Sequence, residues 1–226
     1  WTEMGQGVHT VARQVLAEAV GIDPAVVDVT VCTADGAEAG MTTSSRGSSL
    51  VGNALLVAAE DLRRDLAAQP ERGVAGLSGQ TGLAGLAGLA GLVGRRYRGR
   101  WSFDRSTAPG EAGPGGEVVT HYSYSYATQL VLLDDAGAVA RVIAAHDAGR
   151  ILNPALFRGQ IQGSVHMGLG YALSEDLPQT DAGLPPQRFK DLGLIPMDRT
   201  PPVEVIGVEV PDPLGPYGAK GVGEVG

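Results

Sequence analysis

The chain has 226 residues, 34 of them glycine, about twice ordinary usage, and its 43 % hydrophobic and 19 % charged content excludes wholesale disorder and suits one large domain or two small ones. A net charge of −8, with the basic residues scattered except for Arg95, Arg96, Arg98 and Arg100, lacks the footprint of a nucleic-acid binder. The single Cys32 allows no internal disulfide, and with no signal peptide at Trp1 the expectation is a reducing, cytoplasmic compartment.

Val8, Val11, Val15, Leu16 and Ala19 recur at helical spacing, with Gly21 placed to end the helix. Val27, Val29 and Val31 alternate with Asp28, Thr30 and Cys32, which predicts a half-buried strand. A polar run, Thr42 to Ser49, then feeds a second amphipathic helix marked by Leu50, Ala54, Leu55, Ala58, Leu62 and Leu66. A helix start of this kind presents backbone amides that can hold an anion.

From Gly73 to Gly94 every third residue is glycine, in a 22-residue stretch without a charge. The period is that of collagen, but the tract has no proline to preorganise a triple helix. A membrane helix is equally disfavoured, since each internal glycine costs about 1 kcal/mol relative to alanine. The tract therefore reads as a repeat-expanded loop without chemistry, and together with the Gly/Pro-rich stretch Pro109–Gly116 it predicts an insertion and linker over 73–116.

Beyond it, His121 to Leu133 and Val139 to Ala145 flank the turn Asp134–Gly137, a strong hairpin signal. Asn153-Pro154 predicts a capped helix start, with Phe157, Ile161, Val165 and Leu169 on one face, and Val203–Val210 predicts a last strand. Mixed helices and strands with both hairpin and helical connections give an α+β class.

Generic catalytic motifs fail. His9, His121, His146 and His166 show no zinc spacing, and no P-loop or nucleophile elbow occurs. Gly221–Gly226 matches GxGxxG, but no acidic residue follows at the distance a dinucleotide fold requires. What stands out is a set of polar, glycine-flanked segments far apart in the chain: Met4-Gly5-Gln6-Gly7, Ser45-Arg46-Gly47-Ser48, Gln160 within Arg158–Gly163, and Gly218–Glu224. Glycine permits close backbone approach while Gln and Ser supply hydrogen bonds, a combination suited to a large polar cofactor.

Those segments carry a resemblance. Thr2–Gly7 ahead of a helix, the Ser-Ser-Arg-Gly-Ser-Ser loop with Gly52-Asn53-Ala54, His146–Pro154 with Gly159–Gly163, and Lys220–Glu224 resemble, in order, the C-terminal part of the molybdenum-cofactor subunit of the xanthine dehydrogenase and aldehyde oxidase family. Tyr217–Glu224 and His121–Gln129 are most similar to its selenium-dependent xanthine, or purine, dehydrogenase branch. The resemblance implies a partial catalytic domain over 1–226, with a first cofactor segment in 1–72 and a second in 117–226.

It also implies roles. Gly5, Gln6 and Gly7 would lie beside the metal and pterin, and Ser45, Arg46, Gly47 and Ser48 around the phosphate-bearing part. Gln160 would bond the pterin, and Gly221, Val222 and Gly223 would bring the backbone close. Glu224 would be the general base in hydroxylation of a purine, another N-heterocycle or an aldehyde, with water as the oxygen source. Lys220, four residues earlier, is placed to favour its ionised form. The implied cofactor is molybdenum with molybdopterin in the cytosine dinucleotide form, held without direct protein ligands to the metal. The implied partners are iron–sulfur and FAD domains or subunits and a missing N-terminal half of the molybdenum subunit, with neither nucleic acid nor membrane. The competing expectation is a truncated, non-catalytic relative acting as an interaction module.

Overall fold

The computed structural model describes residues 1–34, 36, 39–68, 89–108, 110–177, 183 and 188–224. Most of the glycine-triplet tract, residues 73–88, lies outside the described residues.

Helix α1, Val8–Val20, forms as its periodicity requires, and Gly21 closes it in the left-handed conformation while donating its N–H to the Ala17 carbonyl. Helix α2, Gly47–Ala67, packs against α1 through a core of Val20, Ala59 and Leu66, joined by Leu92 from the end of the glycine tract. Leu89 and Leu92 thus act as core residues there, not as free loop. Between the helices the expected strand at Val27–Val31 does not form: Pro24–Val26 make a 3-10 turn capped by Asp23, and the following residues pair with no strand among the described residues. Val27 and Val29 keep their alternating half-burial, but alternation yields a strand only where a partner edge is available.

The second layer is a three-stranded sheet in the order β1 (Ala127–Leu133), β2 (Val139–Asp147), β3 (Val203–Val208). Strands β1 and β2 form the expected hairpin, whose turn is held by the Asp134 carboxylate accepting the Ala136 and Ala138 amides. Pairing starts at Ala127, six residues later than His121, because 121–126 turn toward the N-terminal layer. Strand β3 returns parallel to β2 after the crossover helix α3, Pro154–Leu173. Asn153 caps α3 by accepting the Leu156 amide at 3.0 Å, and Ile161, Val165 and Leu169 bury against Val142 and Ala144 of β2.

Contacts between distant segments join the layers. The Arg150 guanidinium pairs with Glu18 at 2.8 Å, Asn153 Nδ2 donates to Gln14 at 3.1 Å, and Asn53 Nδ2 donates to the Leu214 carbonyl at 2.7 Å. Helix α1, the entry to α3 and the C-terminal segment therefore meet at one edge, where the candidate residues gather.

Candidate functional site

The Thr2–Gly7 loop is shaped by its own side chains. Glu3 accepts the amides of Gly5 at 2.8 Å, of the N-cap Gly7 at 3.0 Å and of His9 in the first turn of α1 at 3.1 Å, donors that would otherwise be unpaired. Burial pushes the Glu3 carboxyl up, but the amides of Gly7, His9 and Gly5 outweigh it and hold the group below its ordinary value. Gln6 accepts the Met4 amide at 2.6 Å and donates to the Thr2 carbonyl at 2.8 Å, so its amide stiffens the loop that lines the cleft.

The serine run is built differently. Ser44 and Ser45 both adopt left-handed backbone, at φ 54° and 50°, uncommon for residues with a side chain and typical of functional loops. Arg46 then stands at the N-cap of α2, where a guanidinium has no acceptor to offer the helix amides. Its donors bond the Met41 carbonyl instead, and the group lies over the Trp1 ring at 5.9 Å.

The C-terminal loop meets this run face to face. Gly221 passes so close to the Ser45 carbonyl that a Cβ there would collide with it, the physical reason for glycine at this position. Ser45 Oγ donates to Glu224 Oε2 at 3.3 Å, across 179 positions of sequence. Together these segments wall a cleft of about 250 Å³ lined by Gln6, Ser45–Ser48, Gln160 and Lys220–Glu224. Every expected site residue lines this cleft except Gly5 and Gly7, which lie in the turn behind Gln6. Gln160 reaches it from α3, and its amide makes no hydrogen bond to another described residue.

A second, wider cleft of about 550 Å³ opens on the same Ser45, Arg46, Gly221 and Glu224. Its far wall is aromatic: Tyr122 stands between Trp101, edge-on at 5.4 Å, and Phe103 at 5.0 Å. Arg100 and the Ser123 hydroxyl, buried without a partner among the described residues, add polar groups. Sequence reasoning missed this wall because Trp101 and Phe103 fall within the stretch read as insertion and linker. The available signal was three aromatic residues clustered within 101–122 of a chain that is only 5 % aromatic.

Lys220 corrects the expectation made for it. Its ammonium does not face Glu224; it bonds Asp147 Oδ2 at 2.5 Å in a buried ion pair. Burial pushes the Asp147 carboxyl up, but the Lys220 hydrogen bond and the amides of Gly149 and Val210 lower it overall. No group of three or more His, Cys, Asp or Glu among the described residues could hold a metal ion directly, and no helix among them is long and apolar enough to cross a membrane.

Comparison with known proteins gives this geometry a family. A family model described as a molybdopterin cofactor-binding domain matches residues 1–197. The chain is 30 % identical over 245 residues to the gamma subunit of the 6-hydroxypseudooxynicotine dehydrogenase complex of Paenarthrobacter nicotinovorans, covering 100 % of this chain and 30 % of that protein. It is 28 % identical over 249 residues to a probable xanthine dehydrogenase subunit of Bacillus subtilis, covering 99 % of this chain and 32 % of the relative. Among solved structures, the aldehyde oxidoreductase of Desulfovibrio gigas superposes with a TM-score of 0.73 at 27 % identity, over 98 % of this chain and 24 % of that one. The chain thus spans less than a third of the length of these relatives. It belongs to the molybdopterin cofactor-binding domain family, the domain of the xanthine dehydrogenase and aldehyde oxidase family.

Proposed function

We propose that the narrower cleft holds a molybdenum cofactor in its cytosine dinucleotide form and that Glu224 is the general base of a hydroxylation reaction. The observation that carries the proposal is the meeting of Glu224 with Ser45 at the junction of two clefts, one lined by amides and hydroxyls and the other by aromatic rings. The cradle fits such a group: a Cβ at Gly223 would come within 3.2 Å of Ser45 Oγ and narrow the floor, and the α2 amides are headed by a cation in place of a cap. On this reading Gly5, Gln6, Gly7 and Gln160 frame the pterin, Ser45–Ser48 receive a phosphate, and Gly221–Gly223 let the backbone approach.

Bound there, the cofactor would supply a two-electron redox centre and oxygen transfer from water. The chain's own part is positional and protonic. Ser45 Oγ–H donates to Glu224 Oε2, which fixes the orientation of the carboxylate. Oε1, without a partner among the described residues, is then the atom left to accept a proton at the mouth of the wider cleft. Trp101, Phe103 and Tyr122 offer ring faces to a flat substrate there.

The substrate belongs to this proposal as a class: an N-heterocycle, with a purine such as xanthine and the selenium-dependent branch within it, or an aldehyde. So do a cytoplasmic location, the placement of this chain as the C-terminal part of a molybdenum subunit, and electron exit through iron–sulfur and FAD partners. Relatives named as a complex subunit and as a large subunit support assembly with other chains. Expression with the genomic neighbours followed by elemental analysis tests the cofactor reading. We expect about one molybdenum per chain, and a metal-free assembled protein would leave a non-catalytic module as the better account.

A further inference from the structure

Asp147 and Lys220 form the one ion pair among the described residues that is buried at both ends, with side-chain exposures of 8 % and 7 %; every other pair has both side chains at 32 % or more. An apolar pair of similar volume would hold a core as well as a buried ion pair does, so what the pair adds is the arrangement it specifies. That arrangement is local to Glu224. Asp147 ends β2, the central strand of the sheet, and both of its carboxylate oxygens are engaged: Oδ1 by the amides of Gly149 at 3.0 Å and Val210 at 3.3 Å, Oδ2 by Lys220 Nζ.

The backbone beside the pair is tied down as well. Lys220 N–H donates to the Ala148 carbonyl at 2.9 Å and Arg150 N–H to the Gly218 carbonyl at 3.0 Å, around a bridge between Gly149 and Ala219. After Lys220 the chain changes character. Gly221–Gly223 make no backbone–backbone hydrogen bond among the described residues, and only Ser125 Oγ reaches the Gly221 carbonyl, at 3.4 Å. Lys220 is therefore the last residue before Glu224 that is held at both backbone and side chain.

We infer that the Asp147–Lys220 pair is a positioning device for Glu224: it pins the root of the glycine loop to the sheet and so sets where the carboxylate stands against Ser45. Lys220 acts through the chain path, not through contact with the carboxylate. The inference rests on the reading of Glu224 as the base, and its test separates the two.

The variant is Asp147→Asn with Lys220→Met, which removes both charges together and keeps an acceptor for the Gly149 and Val210 amides. In the full chain without cofactor, amide exchange in 218–224 should accelerate about tenfold or more while the α1 and α2 peptides stay as in the wild type. In the assembled enzyme kcat should fall about 100-fold, the cost of a misplacement near 1 Å, with KM within about twofold and molybdenum content unchanged. Exchange in 218–224 within about twofold of wild type, or kcat within about threefold, overturns the inference. If the double variant does not fold, Asp147→Asn alone carries the same two readouts. A Glu224→Gln enzyme that keeps its turnover would overturn the base reading, and the exchange measurement would still decide whether the pair fixes the loop.

Discussion

Helices α1 and α2 both begin beside the same cleft, both behind a glycine- or serine-rich loop, and the chain treats their N-termini in opposite ways. At α1 the chain supplies its own anion, Glu3, which takes three amides. At α2 the N-cap is Arg46, a residue whose side chain can only donate, so none of the opening amides receives a cap from it. One helix start is closed by the chain's own carboxylate; the other has no side-chain cap and, on the proposed reading, leaves its amides and the neighbouring cation to an anion from outside. The difference teaches that the glycine-flanked motifs, alike on paper, divide into one that caps its own helix and one that does not.

Exchanging the two treatments gives the largest expected effect. Arg46→Asp would cap α2, adding about 1 kcal/mol to its stability, while placing a carboxylate where a phosphate is expected. Molybdenum in the assembled enzyme should drop to about a tenth of wild type or less while the melting temperature holds or rises. Retained metal would show that the α2 start is not the receptor. The next effect is at the other helix. Glu3→Ala removes the carboxylate from α1 and should cost about 1–2 kcal/mol, a fall in melting temperature of about 2–8 °C, in chains with or without cofactor.

The smallest effect is a pH dependence that should differ between the two helices. Glu3 is held below its unfolded value of 4.5, so its contribution is complete above that pH and is lost as the pH falls through the lower folded value. Protection of the amides in the first turn of α1, measured relative to the intrinsic exchange rate at each pH, should therefore fall on acidification below about pH 4.5, with no matching change at α2, which has no capping carboxylate. The sheet responds earlier. His146 is 0 % exposed with neither ring nitrogen bonded among the described residues, and burial lowers its pKa from 6.5. The unfolded chain then takes up the proton first, so global stability should decline as the pH drops below about 6.5 and level off once the folded value is passed. His146→Asn would remove that dependence, and a thermal melt series between about pH 7 and pH 5 measures it.

How much of this could be read in advance depends on the range over which each signal acts. Helices α1 and α3 were legible because their signals are local: the valine periodicity ending at Gly21, and Asn153-Pro154 followed by Phe157, Ile161, Val165 and Leu169. The glycine-flanked loops that line the narrower cleft were legible as a set because four unusual segments recur in a family order. The strand expected at Val27–Val31 was not decidable locally, since its pattern is right and what decides is a partner strand, which none of the described residues supplies. The Asp147–Lys220 pair was hidden for the same reason in reverse. Both residues sat inside recognised motifs, but nothing along the chain says that the lysine crosses 73 positions to an aspartate instead of turning to the glutamate four residues away. Glu3 illustrates a signal that was present and passed over: an acidic residue just ahead of a helix start is a cap candidate even without standing at the N-cap.

The central claim is that Glu224, oriented by Ser45 at the junction of the two clefts, moves the proton in a molybdenum-dependent hydroxylation. Its most direct test is Glu224→Gln in the assembled enzyme, with turnover and molybdenum measured on the same preparation. The account predicts molybdenum equal to wild type and a kcat lower by about 10²–10⁴-fold, the contribution of a positioned general base. Turnover equal to wild type at full metal content would contradict it.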